Sequence, residues 1–299
     1  MHRFLLHNEE IRETTERCLS PGQAGLLNGW GVFSTLRVME GVMFEWPRHY
    51  ERMERDARLL GVPLPEGGAL EQQLYRLVAA NGASEATLRV AVVRNTGGPF
   101  DAPGQERTYD VMAFTKNVAQ WSNHTRLGVV AHARHAANPF CAAKMLAWSM
   151  NLRWYELARE QGLDEVVLLN EHGEVAELTS ANILAVQGGE ILTPPLTSGC
   201  LPGITRQLLL EIPVRGYRVR EQTLRPADLE RADEVFITSS TRETLAVAEI
   251  EGLRIRFVPP HGGPGRRAAQ EALAEYMRAY VLRHRRQQAP ADAAPARAL

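Results

Sequence analysis

Residues 162–184 read GLDEVVLLNEHGEVAELTSANIL. Glu165 to Leu169 is a hydrophobic run of strand length, and Asn170-Glu-His-Gly173 is turn chemistry that ends it. A second apolar run from Asn182 to Val186 follows, with the carboxylate of Glu177 stranded between turn and strand. Two short strands separated by a tight turn predict a β-rich unit in this half of the chain.

Reading C-terminally, short strands are expected at Ile191–Thr193, Val214–Arg220 and Glu234–Thr238, with a helix from Ile204 to about Leu210 and a last helix near Arg267–Arg285. Reading N-terminally, a long helix is expected over Ala142–Gln161 and a strand over Leu127–Ala131. The polar stretch Lys116–His124 lacks periodicity and reads as a connector between domains. Before it, strands at Arg3–His7, Val32–Val38, Thr87–Arg94 and Tyr109–Phe114 alternate with helices at Pro47–Leu60 and Ala69–Ala80, and 22–31 reads as a glycine-punctuated loop. The expected architecture is a two-domain α/β (α+β) protein: a small N-terminal α/β domain (1–120), a larger β-rich C-terminal domain (125–286), and an Ala/Pro-biased disordered tail (287–299).

Composition narrows the function. The 299 residues carry 35 Asp plus Glu against 34 Lys plus Arg, so no chain-wide field favours nucleic acid or an anionic membrane. Cys18, Cys141 and Cys200 are far apart and odd in number, which fits a reducing, cytoplasmic setting. No run reaches the roughly 18 apolar residues of a membrane helix. His132, His135 and Cys141 invite a metal, but an i, i+3 pair on a strand points to opposite faces, so none is expected.

Only two of the basic residues are lysines, Lys116 and Lys144. A lysine amine loses its proton when desolvated and can then act as base or nucleophile, which an arginine does not. Lys116 follows a strand-like run and reads as a solvated loop cation. Lys144 sits among Ala142, Ala143, Met145, Leu146 and Trp148, where burying an ammonium is costly. Downstream, Leu201-Pro-Gly-Ile-Thr205-Arg opens a helix whose free N–H groups favour a phosphate. The hydroxyls of Thr238-Ser-Ser-Thr241 follow a strand and are placed to close over the same group, and Glu177 held against a pyridine nitrogen would keep it protonated.

In this order and at these intervals, Lys144, GLDEVVLLNEHGEVAELTSANIL, ILTPPLTSGCLPGITR and VREQTLRPADLERADEVFITSSTRETLAV resemble the class IV aminotransferases: branched-chain and D-amino acid aminotransferases and 4-amino-4-deoxychorismate lyase. GLLNGWGVFSTLRV and PRHYERMERDARLLG extend the resemblance into the first half. It implies a C-terminal pseudobarrel of the D-amino acid aminotransferase type, pyridoxal 5'-phosphate as cofactor, a homodimer, and amino acid and 2-keto acid substrates exchanged by ping-pong Schiff-base chemistry. Lys144 is implied as the Schiff-base lysine and proton shuttle, and Glu177 as partner of the pyridine nitrogen. Arg52, Ile204, Thr205, Ser240 and Thr241 would hold the phosphate, with Leu201 under the ring.

On the substrate side, Phe33, Thr35 and Arg37 share a strand face, and Arg37, Arg89 and Arg94 are candidate carboxylate ligands. The chain has Ser149 where branched-chain enzymes carry a tyrosine five residues after the lysine. NTGGPFDAPGQER lacks the Arg-x-His pair of D-amino acid enzymes. The Ser34-Thr35 pair and the missing tyrosine are shared with the lyase, which stands as the alternative.

Overall fold

The structure, a computed structural model, describes residues 1–98 and 107–288. The first half is a six-stranded antiparallel sheet in the order β2-β1-β6-β5-β3-β4. Its strands are β1 (Phe4–His7), β2 (Glu10–Glu13), β3 (Gly31–Met39), β4 (Val42–Met43), β5 (Ala86–Arg94) and β6 (Tyr109–Lys116). Period-two alternation divides β3 cleanly. Val32, Leu36 and Val38 pack against helices α2 (Trp46–Leu60) and α3 (Gly67–Ala80), while Phe33, Thr35 and Arg37 face the other way. On β5, Leu88, Val90 and Val92 join the same core, leaving Thr87 and Arg89 on the open face. Glu66 caps α3, its carboxylate accepting from the N–H groups of Gly68 and Ala69.

The second half is an eight-stranded mixed sheet, β12-β11-β10-β13-β14-β7-β8-β9, curled so that β9 returns against β10. The strands are β7 (His124–Val130), β8 (Glu165–Leu169), β9 (Val175–Leu178), β10 (Asn182–Gln187), β11 (Glu190–Thr193), β12 (Arg218–Glu221), β13 (Glu234–Ser239) and β14 (Glu243–Ile250). Leu127, Val167, Leu178, Ile183, Val235 and Val247 fill its interior. The last helix, α7 (Pro264–Gln288), packs on β13 and β14 and carries Leu273, Met277 and Tyr280 back to Val42 and Phe44 of the first half. There Tyr276 donates to Glu45 at 2.6 Å, tying the two sheets together.

Several expectations are corrected. The helix expected over 142–161 spans only Ser149–Glu160 (α4); the stretch before it is extended and pairs with β3. The strand expected at 214–220 shrinks to Arg218–Glu221, because Gly216 takes a left-handed turn (φ 81°). The loop expected at 22–31 contains a short helix, α1 (Ala24–Asn28). Glu177 lies within β9, an element not read from the sequence; nor were β2, β4, β14 and the short helix α6 (Pro226–Arg231). Lys116 ends β6 instead of starting a loop. The turn-rich run after β5 lies largely, and the tail mostly, outside the described residues; Gln287 and Gln288 extend α7.

Candidate active site

The open face of the first sheet and the carboxyl side of the second enclose a cleft of about 690 Å³. That is ample for a cofactor with a small substrate. Lys144 enters it from an extended segment whose backbone is fixed on three sides. Phe33 N–H donates to Lys144 O (3.0 Å), Leu146 N–H donates to Gly31 O (2.9 Å), and Lys144 N–H donates to Asp56 Oδ2 (2.9 Å). Asp56 is buried on α2 and is ion-paired with Arg55, which also donates to Ala142 O at 3.0 Å. Gly29, at φ 61°, lies so close that a Cβ there would stand 2.9 Å from the Ala147 backbone, so glycine is what lets this segment approach β3.

The Lys144 amine stands 4.5 Å from the Phe33 ring centre and 5.9 Å from that of Trp148. Burial pushes its pKa down to about 7; the Arg52 and Arg89 charges act the same way, while Glu177 and Asp56 oppose them. A substantial fraction of the amine is therefore neutral at physiological pH.

Glu177 is buried, and its carboxylate is held at both oxygens. Arg134 reaches Oε1 at 3.0 Å, and Leu201 N–H donates to Oε2 at 3.0 Å. Burial pushes the carboxyl up, and Arg134 opposes this. Asn151 orients Arg134 (3.3 Å) and is itself anchored on Thr179 O (2.7 Å).

At the other end of the cleft, α5 (Ile204–Glu211) begins without any side-chain cap, leaving the N–H groups of Ile204 and Thr205 free. Gly203 precedes it where a Cβ would collide with Asn182 Oδ1, and Asn182 Nδ2 meanwhile donates to Leu201 O at 2.9 Å. Arg52 lies buried opposite, donating to Pro202 O (3.3 Å) and Ser34 Oγ (3.0 Å), with Nε left unpartnered. His49 Nδ1 is 2.8 Å from Ser34 Oγ. Burial and the Arg52 and Lys144 charges hold His49 well below its ordinary pKa, so the neutral ring accepts from Ser34, which accepts from Arg52. Desolvation lowers Arg52 itself to about 10.

The expected residues therefore come together with two exceptions, Arg37 and Arg94. Lys144, Glu177, Arg52, Leu201, Ile204, Thr205, Ser240, Thr241, Phe33, Thr35 and Arg89 all line the cleft. Arg37 does not; it lies in a small neighbouring pocket, 3.7 Å from Glu243 and 3.9 Å from Glu85. Arg94 is structural, stacked on Trp30 and donating to Thr96 O and Gly61 O. Of the four clustered hydroxyls, Thr238 is spent on Glu243 O and Ser239 on the Arg242 N–H, leaving Ser240 and Thr241 for a ligand. His132 and His135 stand in a turn-rich loop after β7, not on a strand.

Residues not anticipated are Ser34, His49, Asp56, Arg134 and Asn151. A signal existed for two of them: His49, Arg52 and Asp56 fall at i, i+3, i+7, one stripe of α2 in which polar side chains interrupt an apolar face.

A buried guanidinium with its Nε unpartnered, an uncapped helix start and two free hydroxyls converge on one end of the cleft, with a buried carboxylate and a neutralisable amine at the other. This donor set fits a phosphorylated pyridine aldehyde. It defines the class as pyridoxal phosphate enzymes.

The profile of class IV aminotransferases matches residues 31–250. D-alanine aminotransferase of Bacillus licheniformis is 30% identical over 272 residues, 90% of this chain and 95% of that protein. A putative branched-chain-amino-acid aminotransferase of Methanocaldococcus jannaschii is 32% identical, covering 76% of this chain and 81% of its own length. Among solved structures, Escherichia coli branched-chain amino acid aminotransferase superposes with TM-score 0.83 at 24% identity (93% and 95% of the two chains). A putative 4-amino-4-deoxychorismate lyase from Legionella pneumophila superposes at 0.78 and 23% (88% and 96%). The chain belongs to the class IV aminotransferase family and shares its fold, and the family's cofactor is pyridoxal phosphate.

Proposed function

We propose that the chain transfers amino groups between an amino acid of the D-alanine or branched-chain kind and a 2-keto acid, with Lys144 as its catalytic residue. The observation that carries this reading is that one cleft holds the depressed amine of Lys144 between the Arg52 and α5 anion site and Glu177. When bound, pyridoxal phosphate supplies an electron sink for the substrate's α-carbon and a carbonyl to carry the amino group. Arg52, the N–H groups of Ile204 and Thr205, and the hydroxyls of Ser240 and Thr241 bind its phosphate. Leu201 would pack under its ring, and Glu177, fixed by Arg134, would hold a proton on the ring nitrogen. Lys144 Nζ, partly neutral near pH 7, is the base that would take the proton from the substrate's α-carbon and hold it for return. Phe33 and Trp148 shield that amine from water. Arg89, stacked 3.9 Å over Phe33, binds the α-carboxylate.

The test is spectroscopic. The purified protein is expected to absorb in the violet-blue, and borohydride is expected to fix that chromophore covalently to Lys144. A protein without such a chromophore, or one fixed elsewhere, contradicts the assignment.

Thr35 favours a second reading, 4-amino-4-deoxychorismate lyase. Its hydroxyl lines the cleft beside Arg89, its cross-strand neighbour, and has no hydrogen-bond partner among the described residues. Release of 4-aminobenzoate without keto acid turnover would select it.

The first sheet and the curled sheet are read as two domains, 1–120 and 125–286. Phe140, Met150, Leu152 and Tyr155 leave apolar surface uncovered at or near the cleft mouth, which supports a homodimer closing there. No helix among the described residues is long and apolar enough to cross a membrane, and Cys18, Cys141 and Cys200 are all free thiols. A cytoplasmic location fits both.

A further inference from the structure

The turn that offers the two free hydroxyls is closed by a residue in a costly conformation. Ser240, Thr241 and Arg242 join β13 to β14, and Glu243, the first residue of β14, has φ 56°. That is the left-handed region, where a Cβ is crowded and glycine or asparagine is the ordinary choice. A glutamate held there carries strain that glycine would relieve, which directs attention to what its side chain does.

Both carboxylate oxygens are engaged. Gln270 Nε2, from α7, donates to Oε2 at 2.6 Å. Thr244 fixes the orientation of that amide, because Gln270 Oε1 accepts from both its N–H (3.2 Å) and its hydroxyl (2.6 Å). The other oxygen, Oε1, faces Arg37 of β3 at 3.7 Å, and the second acid near Arg37 is Glu85 at 3.9 Å. Both separations exceed a hydrogen bond, and Arg37 Nε is buried without a partner among the described residues. Charge therefore holds this guanidinium, and a side chain only 13% exposed needs a counter-charge. Arg37, which stands outside the cleft, thus meets the far side of the turn that carries Ser240 and Thr241.

The same strand reaches the opposite wall of the anion site. Ser34 lies three residues before Arg37 on β3, and its hydroxyl accepts from Arg52 at 3.0 Å. Arg52 is thereby referred to β3 on one side, and the turn is referred to β3 through Glu243 on the other. Arg242, by contrast, is anchored within the second half, donating to Ser180 Oγ at 3.0 Å.

We infer that Glu243 is a positioning residue for cofactor binding: its carboxylate, held by Gln270 and facing Arg37, sets the hydroxyls of Ser240 and Thr241 at the spacing from Arg52 that a phosphate requires. The inference rests on the reading above in which these groups bind the phosphate. Glu243 does not line the cleft and acts through the turn.

The experiment titrates pyridoxal 5'-phosphate, and pyridoxal, which lacks the phosphate, into the full-length cofactor-free protein. Wild type is compared with Glu243→Gly, Glu243→Gln, Arg37→Leu and the Arg37→Leu, Glu243→Gly double variant. Glu243→Gly relieves the backbone and is expected to unfold at about the wild-type temperature. It should nevertheless bind pyridoxal 5'-phosphate about tenfold more weakly, with pyridoxal binding unchanged. Glu243→Gln keeps an acceptor for Gln270 but loses the charge, and should fall between the two. Arg37→Leu should weaken the phosphorylated aldehyde in the same selective way, and the double variant should be no weaker than Glu243→Gly, because the two residues act as one unit. A folded Glu243→Gly protein with unchanged affinity for pyridoxal 5'-phosphate overturns the inference, as does an equal loss for both aldehydes. If Glu243→Gly does not fold, an unchanged ratio of the two affinities in both Arg37→Leu and Glu243→Gln overturns it. A wild-type protein that binds the two aldehydes equally refutes the phosphate reading of Arg52, Ser240 and Thr241 instead.

Discussion

Removing Arg134 should convert Glu177 from a proton-holding anion into a neutral, destabilising acid, and the structure sets the size of the effect. Two guanidinium nitrogens reach Glu177 Oε1 at 3.0 Å, and among the described residues the only other donor to the carboxylate is Leu201 N–H. Breaking a buried pair by deleting one partner costs about 3–5 kcal/mol. Arg134 keeps 17% of its side chain exposed, so the lower end, about 3 kcal/mol, is expected for Arg134→Met.

The sign with pH follows from the direction of the shift. Burial already raises the Glu177 pKa above its ordinary 4.5, and loss of Arg134 raises it further. A folded-state pKa above the unfolded one means that the folded protein binds more protons, so stability is retained below the unfolded value and lost as pH rises towards the folded one. Each unit of pH removes about 1.4 kcal/mol for one such group. The deficit relative to wild type should thus be small at acid pH, where Glu177 is protonated in both proteins, and grow to about 3 kcal/mol as pH rises past the raised folded value of the wild-type carboxyl. Urea unfolding of the cofactor-free proteins across that range measures it, and Glu177→Gln added to Arg134→Met should flatten the slope. A deficit independent of pH would refute the reasoning, because it would mean that Arg134 contributes packing and not charge.

Two further outcomes are expected. With Lys116→Arg as background, Lys144 is the only lysine of the cofactor-free chain, and its reaction with an amine-directed reagent should rise with a midpoint at about pH 7; a midpoint near the ordinary lysine value of 10.5 contradicts its desolvation. Sedimentation should return twice the 33.3 kDa chain mass, and Met150→Glu should shift it towards one; a monomeric wild type removes the dimer.

What was legible in the sequence was what is local. The helix start at Ile204 and the strand at Glu165 are each specified by neighbours a few residues away, through a Pro-Gly entry and an apolar run, whereas Arg52 is picked out only by the family resemblance. The expected helix over 142–161 shows the converse. Its Ala, Met and Leu residues favour a helix, but Gly31 O and Phe33 N–H on the free side of β3 would then lack partners, and the Lys144–Leu146 backbone satisfies them. An unmet pair of sheet hydrogen bonds outweighs a few tenths of a kcal/mol of propensity per residue. Asp56 and Lys144 are separated by 88 residues, and Arg134 and Glu177 by 43, distances over which periodicity carries no information. The residues expected at the cofactor end, picked out by motifs, line one cleft. Lys116 closes β6 instead of opening a loop, but it is exposed, as a solvated cation should be.

The lysine's backbone is stitched to β3 and Asp56, while Glu177 and the start of α5 hang from the other sheet. Neither half holds all of these residues, and a cofactor bound between them would act as a rivet. By mass action its affinity is shared between filling the cleft and clamping the halves together, so a substitution far away on the α7–Phe44 seam would be felt as looser cofactor retention before it was felt as slower chemistry.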